Sequence, residues 1–327
     1  MTRLAPPDLL ALAAEANLAP SVHNTQPTRW RLEPGGDVTL IADESRRLKV
    51  GDPAGRDLRV SLGAALEATV IALSARGLTW QTAPLIDRAE ASGSLREGAT
   101  TDPLHTAIPN RFTWRRPFAP ATSQQAQSLD GWAATRDDIT LVDHDGLAAI
   151  SEFNEHASLG FFRNASYRAE LLSWMRLSAS DPCFGRDGLS APALGMSRLE
   201  ALGAGVVLRD PWFGLLDRVG LAPSLISEHA RTKTATAVLL FHRPDGENPA
   251  ETGRALYRRL LEITTLGFST WPMAVLADDP DTAAQLKRRH GIPDGHRLIN
   301  AWRTGIVPQG AATPRRERLP AEALITA

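Results

Sequence analysis

From Asp57 to Arg76 the apolar residues Leu58, Val60, Leu62, Ala65, Leu66, Val70, Ile71 and Leu73 recur at helical spacing, and Gly77 falls where a C-terminal cap belongs. Alanine and Gly63 crowd the same stretch, so a second helix can come close to its backbone. A chain of 327 residues is long enough for one large α/β unit or for two domains of about 150 residues each, and either can bury a substantial core.

Other elements flank this helix. Asp8 to Asn17 reads as helical, with Pro7 where a first-turn proline is tolerated and Pro20 as the stop. Thr28–Leu32 and Asp37–Ala42 read as strands around the turn Glu33-Pro34-Gly35-Gly36, a hairpin signal. Thr79–Leu85 reads as a further strand, and Glu90–Asp102, rich in Ser, Gly and Thr, reads as a joint between two halves, 1–100 and 101–327. In the second half helices are expected at Ser123–Trp132, Leu147–Ala157, Ser166–Leu177, Pro249–Leu266 and Asp279–His290, and strands at Ala235–Phe241 and Leu298–Val307. The order is mixed rather than strictly alternating, which points to an α+β arrangement of sheets packed by helices.

Composition removes several function classes. With 36 Lys+Arg against 37 Asp+Glu there is no net basic field for nucleic acid or membrane, so any anion site is local. One cysteine, Cys183, permits neither an internal disulfide nor a multi-thiolate metal site. No apolar run approaches membrane-spanning length and no export signal opens the chain, so the expected location is the cytoplasm. The eight histidines lack metal-ligand spacing; no glycine-rich dinucleotide fingerprint, P-loop or nucleophile elbow is present.

The densest chemical signal is Ala19-Pro20-Ser21-Val22-His23-Asn24-Thr25-Gln26-Pro27, where rigid turn residues and short hydrogen-bonding side chains follow the first helix. Pro20 leaves Ala19 extended, and Ser21, Asn24 and Gln26 become free to bond something other than their own helix. A helix-ending turn satisfying local backbone groups is the plain alternative, so support must come from elsewhere in the chain.

That support exists. The nine residues look like the Ala-Pro-Ser-x-x-Asn-x-Gln-Pro motif of the FMN-dependent nitroreductase family, and Arg111-Phe112-Thr113-Trp114-Arg115 resembles that family's Arg-x-Ser-x-Arg segment. Pro314-Arg315-Arg316-Glu317-Arg318-Leu319-Pro320 is similar to the basic segment that ends many members. In ordinary members the Arg-x-Ser-x-Arg segment comes first in one short chain. Here each half holds only one of the two motifs, which resembles a tandem fusion of the Acg-like branch. The resemblance implies a nitroreductase-like fold of two halves, each with an antiparallel-type sheet packed by helices, pseudo-dimeric around one FMN site. It leaves open a monomeric pseudo-dimer or a homodimer.

By the same resemblance Arg111, Arg316 and Arg318 would pair with the FMN phosphate, and Thr113 would give its hydroxyl to the phosphate or ribityl end. Arg115 would reach the pyrimidine edge. Pro20, Ser21 and Asn24 would flank the phosphate and ribityl side, with Gln26 bracing the loop. The turn Pro272-Met273-Ala274 would face the ring, although Ala274-Val275 stands where many members carry Glu-Gly. His23 is expected only to bond backbone, and the loop Ser180–Leu189 is a candidate lid. No side-chain acid, base or metal is required, because FMN carries the chemistry. The implied activity is hydride transfer from NAD(P)H to a small nitroaromatic or quinone-like acceptor. The alternatives are an FMN-sequestering protein and an apo-scaffold.

Overall fold

The computed structural model describes residues 4–82 and 90–326. Helix α1 (Pro6–Ala16) keeps its prolines in the first turn, where a missing N–H costs nothing, and buries Leu9, Leu12, Ala13 and Ala16. It ends ahead of Pro20: the N–H groups of Asn17, Leu18 and Ala19 turn back onto Ala13, Glu15 and Ala16. Strands β1 (Thr28–Leu32) and β2 (Val38–Ala42) form the expected hairpin, with Leu32 opposite Val38.

Helix α2 (Arg56–Ser74) is buried along most of its length, and Gly77 ends that region at φ +71°, where a side chain would be strained. Strand β3 (Leu78–Thr82) follows; the expected extension to Leu85 lies outside the described residues. The stretch expected to join two halves is instead largely strand β4 (Glu90–Glu97), which pairs with both β2 and β3. Its turn-like composition is set by crowding. A side chain on Gly93 would strike the Gln81 carbonyl and the Trp80 indole nitrogen, while Ala91 and Leu95 supply the buried face.

Beyond a loop come α3 (Ser123–Ala134), opened by a Thr122/Gln125 capping box, β5 (Ile139–Val142), α4 (Leu147–Arg163) and α5 (Ala165–Trp174), the last capped by Asn164. Short strands β6 (Met175–Arg176) and β7 (Leu189–Ser190) pair in parallel. Four short helices, α6 (Arg198–Val207), α7 (Trp212–Arg218), α8 (Ala222–Ile226) and α9 (His229–Thr232), lead to β8 (Ala237–Pro244). Then come α10 (Pro249–Thr265), β9 (Ser269–Pro272), α11 (Val275–Asp278), α12 (Pro280–His290) and β10 (His296–Gly305).

The architecture is α+β, with two four-stranded antiparallel sheets ordered β1-β2-β4-β3 and β5-β8-β10-β9. Helices α2 and α10 cross between them at glycines. A Cβ on Gly63 would strike the Ala250 carbonyl, and one on Gly253 the Val60 carbonyl. Glu67, buried on α2, holds Arg254 and Arg258 of α10 at 2.8 and 2.7 Å. The halves interlock further, since Tyr257 and Leu261 of α10 and Leu324 of the tail belong to the core around α1 and α2, and Ile325 bridges Trp30. Among the described residues, no helix is long and apolar enough to cross a membrane, and no group of three His, Cys, Asp or Glu could hold a metal ion.

Candidate functional site

The turn after α1 is held in an unusual shape. His23, Asn24 and Gln26 all have positive φ, at 45°, 55° and 49°, a region costly for residues with a Cβ, so the surroundings must enforce it. They do so with specific bonds. The Ser21 hydroxyl accepts from the Gln26 N–H at 2.9 Å, and the Val22 N–H donates to Ser61 of α2 at 3.2 Å. Asn24 Nδ2 donates to the carbonyls of Gly188 and Glu317 at 3.1 and 3.2 Å, and the Gly188 N–H donates back to the Asn24 carbonyl. Gln26, 2 % exposed, accepts from Asn17 Nδ2 and from the Leu319 N–H, both at 2.8 Å, and donates to the Arg186 carbonyl at 2.9 Å.

Three guanidinium groups converge beside this turn. Arg318 donates through Nε to the Asn17 carbonyl at 2.6 Å, through Nη2 to Leu18 at 3.1 Å, and through Nη1 to Asn24 Oδ1 at 2.9 Å. Arg111 donates to the same Leu18 carbonyl at 3.3 Å, and its buried Nε has no partner. Arg316 grips the carbonyls of Ile108, Pro109 and Arg111. None of the three forms an ion pair among the described residues, and the neighbouring Glu317 carboxyl turns toward Ser190. Burial, then the charges of Arg111 and Arg316, push the Arg318 pKa down to about 9. Burial likewise lowers Arg111 to about 10. Tyr257, buried on α10 with its hydroxyl unpartnered, faces the same three charges. Three positive charges against the one nearby carboxylate of Glu317, which pairs with none of them, are costly to bury, and an anion would relieve that cost.

The cluster opens into a cavity of about 870 Å³ between the two sheets' helices. Eleven of the twelve residues expected at a site line it: Pro20, Ser21 and Asn24; Arg111, Thr113 and Arg115; Pro272, Met273 and Ala274; Arg316 and Arg318. Thr113 is placed by a bridge to Thr270 of β9, next to the Trp114 N–H bond to the Thr270 carbonyl at 3.1 Å. Arg115 donates to the Ala193 carbonyl at 3.3 Å, and burial pushes its pKa down to about 10. Gln26 does not reach the cavity; its side chain is fully used in bracing the turn.

Several features escaped the sequence. Only Gly188 and Leu189 of the loop Ser180–Leu189 touch the cavity, while residues between Ala193 and Arg231, including Gly203, Ala204 and Val207 of α6, form that wall. The loop is an anchor: Asp187 is held by Arg46 and by Arg176, the latter at 2.8 Å. His23 lines the cavity, its Nδ1 buried without a partner, and burial pushes its pKa down to about 4. The expected backbone bond from that nitrogen is missing. Asp57 and Asp278 also line the cavity beside Arg56; burial raises both, with Asp52 adding to the rise of Asp57 and Asp57 to that of Asp278, which reaches about 7. Tyr257 carried no signal, because an aromatic on an apolar helix face reads as core.

No family model matches the chain. It is 31% identical over 182 residues to the NAD(P)H nitroreductase named acg of Mycobacterium tuberculosis, covering 48% of this chain and 50% of that one. A second so-named protein of the same organism is 46% identical over 63 residues, 19% of this chain and 17% of its own length. The chain thus spans half or less of the curated relatives it matches. Among solved structures it is similar to the FMN- and NADPH-dependent nitroreductase NfnB from Sphigopyxis sp. strain HMH (TM-score 0.38, 14% identity, 68% of this chain and 98% of that). It is also similar to the NfnB of Mycobacterium smegmatis in complex with NADPH (TM-score 0.37, 18% identity, 64% and 91%). At such scores the structural likeness carries no weight. In sequence the chain is thus similar, over about half its length or less, to mycobacterial proteins named as NAD(P)H nitroreductases.

Proposed function

We propose that the chain is an FMN-binding oxidoreductase that passes hydride from NAD(P)H to a small flat acceptor such as a nitroaromatic or a quinone. The observation that carries this reading is the convergence of Arg111, Arg316 and Arg318, none of them in an ion pair among the described residues, at one end of a cavity that the Pro20–Asn24 turn and Glu317 also line. The unpartnered Arg111 Nε and Tyr257 hydroxyl fit a phosphate dianion, which accepts several charge-assisted bonds at once.

Bound FMN would supply a two-electron hydride relay, for which no acid or base among the side chains is needed. The chain's own residues orient and neutralise. Arg111, Arg316 and Arg318 hold the phosphate, and Thr113 offers its hydroxyl to the phosphate or ribityl end. Pro20, Ser21 and Asn24 flank that end across the cavity, and Pro272, Met273 and Ala274 form the wall beside the ring. Arg115 keeps a buried positive charge, which favours negative charge developing on a ring edge.

A second reading has its own support. Residues from Ala193 to Arg231 close one wall of the cavity, an arrangement suited to sequestering FMN away from nicotinamide. Anaerobic mixing of FMN-loaded protein with NADH and NADPH separates the two. Rapid bleaching supports the oxidoreductase; flavin that stays oxidised, yet yields to dithionite, supports storage. Failure of the purified protein to take up FMN refutes both.

A further inference from the structure

Nine large hydrophobic side chains are exposed among the described residues, and eight of them fall between Leu199 and Leu225. They follow helical spacing on each element: Leu199, Leu202 and Val206 on α6; Trp212, Leu215 and Val219 along α7 and its cap; Leu221 and Leu225 along α8. Each is more than half exposed, Leu199 by 80 % and Leu202 by 71 %. The opposite faces are spoken for. Leu208, Phe213 and Ala222 pack with Met175 in one buried cluster, and α7 contacts both α6 and α8, so the exposed side chains of the three helices are neighbours.

We propose that this exposed patch is where a second copy of the chain docks, the two patches packing face to face about a two-fold axis. Size is the first support. At roughly 100 Å² per side chain the patch offers on the order of 800 Å², what one partner contributes to a standard-size interface and more than the roughly 300–600 Å² of the largest patch on a typical monomer. Charge is the second. Residues 198–226 carry three arginines (Arg198, Arg209, Arg218) and three carboxylates (Glu200, Asp210, Asp217), a net charge of zero. Asp210 and Asp217 are already engaged by Arg168 and Arg163. A neutral apolar surface lacks the basic rim that an anionic bilayer or nucleic acid would select, and it presents no charge that repels its own copy. A patch equivalent to itself satisfies the requirement of a two-fold contact.

Docking would act on the cavity. Leu202 and Val206 face outward from the same helix whose Gly203, Ala204 and Val207 line the cavity, and Leu225 belongs to both surfaces. A partner pressed on the outer face would hold that wall in place. The proposal does not depend on the identity of the bound cofactor.

Sedimentation velocity on the full-length chain tests it. The wild type is expected to sediment as a dimer at micromolar concentration, and L202E/L215E as a monomer with unchanged far-UV circular dichroism. Val206→Asp, on a separate turn, provides an independent disruption should the double variant misfold. A wild type that stays monomeric at high micromolar concentration would overturn the proposal, as would variants that remain dimeric. Monomeric wild type that co-sediments with neutral phosphatidylcholine vesicles would also overturn it, by giving the face to lipid.

Discussion

Arg111 and Arg318, brought from distant parts of the chain, donate to one acceptor, the carbonyl of Leu18 at the end of α1, at 3.3 and 3.1 Å. The helix's own C-terminal carbonyls thus hold two guanidiniums close together that would otherwise repel. Arg111→Ala and Arg318→Ala should each remove about 1.5–3 kcal/mol of FMN binding, a loss of roughly 10- to 150-fold. Fluorescence quenching of titrated FMN reads this directly, and unchanged affinity in both variants contradicts the phosphate assignment.

Asn24 is the hinge pin between the early turn and the tail. Its side chain serves Gly188, Glu317 and Arg318 while its backbone sits at φ +55°. Asn24→Ala loses three hydrogen bonds and places a less tolerant residue at positive φ. It should destabilise the protein by about 2–4 kcal/mol in urea unfolding. Asn24→Gly, which relieves the backbone, should recover part of that loss.

The crossing of α2 and α10 leaves no room for a methyl group at Gly63. Gly63→Ala must push the helices apart and should cost at least about 3 kcal/mol. Gly131→Ala in α3, where a Cβ meets nothing within 4 Å, should instead stabilise by about 0.5–1 kcal/mol through helix propensity. Chemical denaturation of the pair checks the contrast.

Two cavity groups give opposite pH dependences. The Asp278 pKa is raised from 3.8 to about 7 by burial and by Asp57, so in that window the folded state binds more protons and stability falls as pH rises through 7. The His23 pKa is lowered from 6.5 to about 4 by burial, so stability is lost as pH falls from 6.5 toward 4. Asp278→Asn should therefore gain stability above pH 7, and His23→Asn below pH 6. Thermal melts across pH read both.

Local chemistry made much of this legible in the sequence. The hairpin at Glu33–Gly36, the glycine that ends the α2 region and the Asp279 cap of α12 are written in residues that act on their neighbours. The motif segments came together because each is short and chemically specific. What stayed hidden depends on distant partners. β4 reads as a linker because Gly93 yields to Trp80 and Gln81. The Ser180–Leu189 loop reads as a lid because its anchors, Arg46 and Asn24, lie far away in sequence. Gln26 reads as a brace for the loop, but its partners Asn17, Arg186 and Leu319 lie in segments its own sequence does not reveal.

If the arginine cluster grips the phosphate of a flavin nucleotide, losing that phosphate must weaken binding sharply. Parallel titrations of the purified protein with FMN and with riboflavin, which lacks only that phosphate, test it most directly. Three charge-assisted contacts predict FMN binding at least about 100-fold tighter than riboflavin. Equal affinities, or no binding of either, would contradict it.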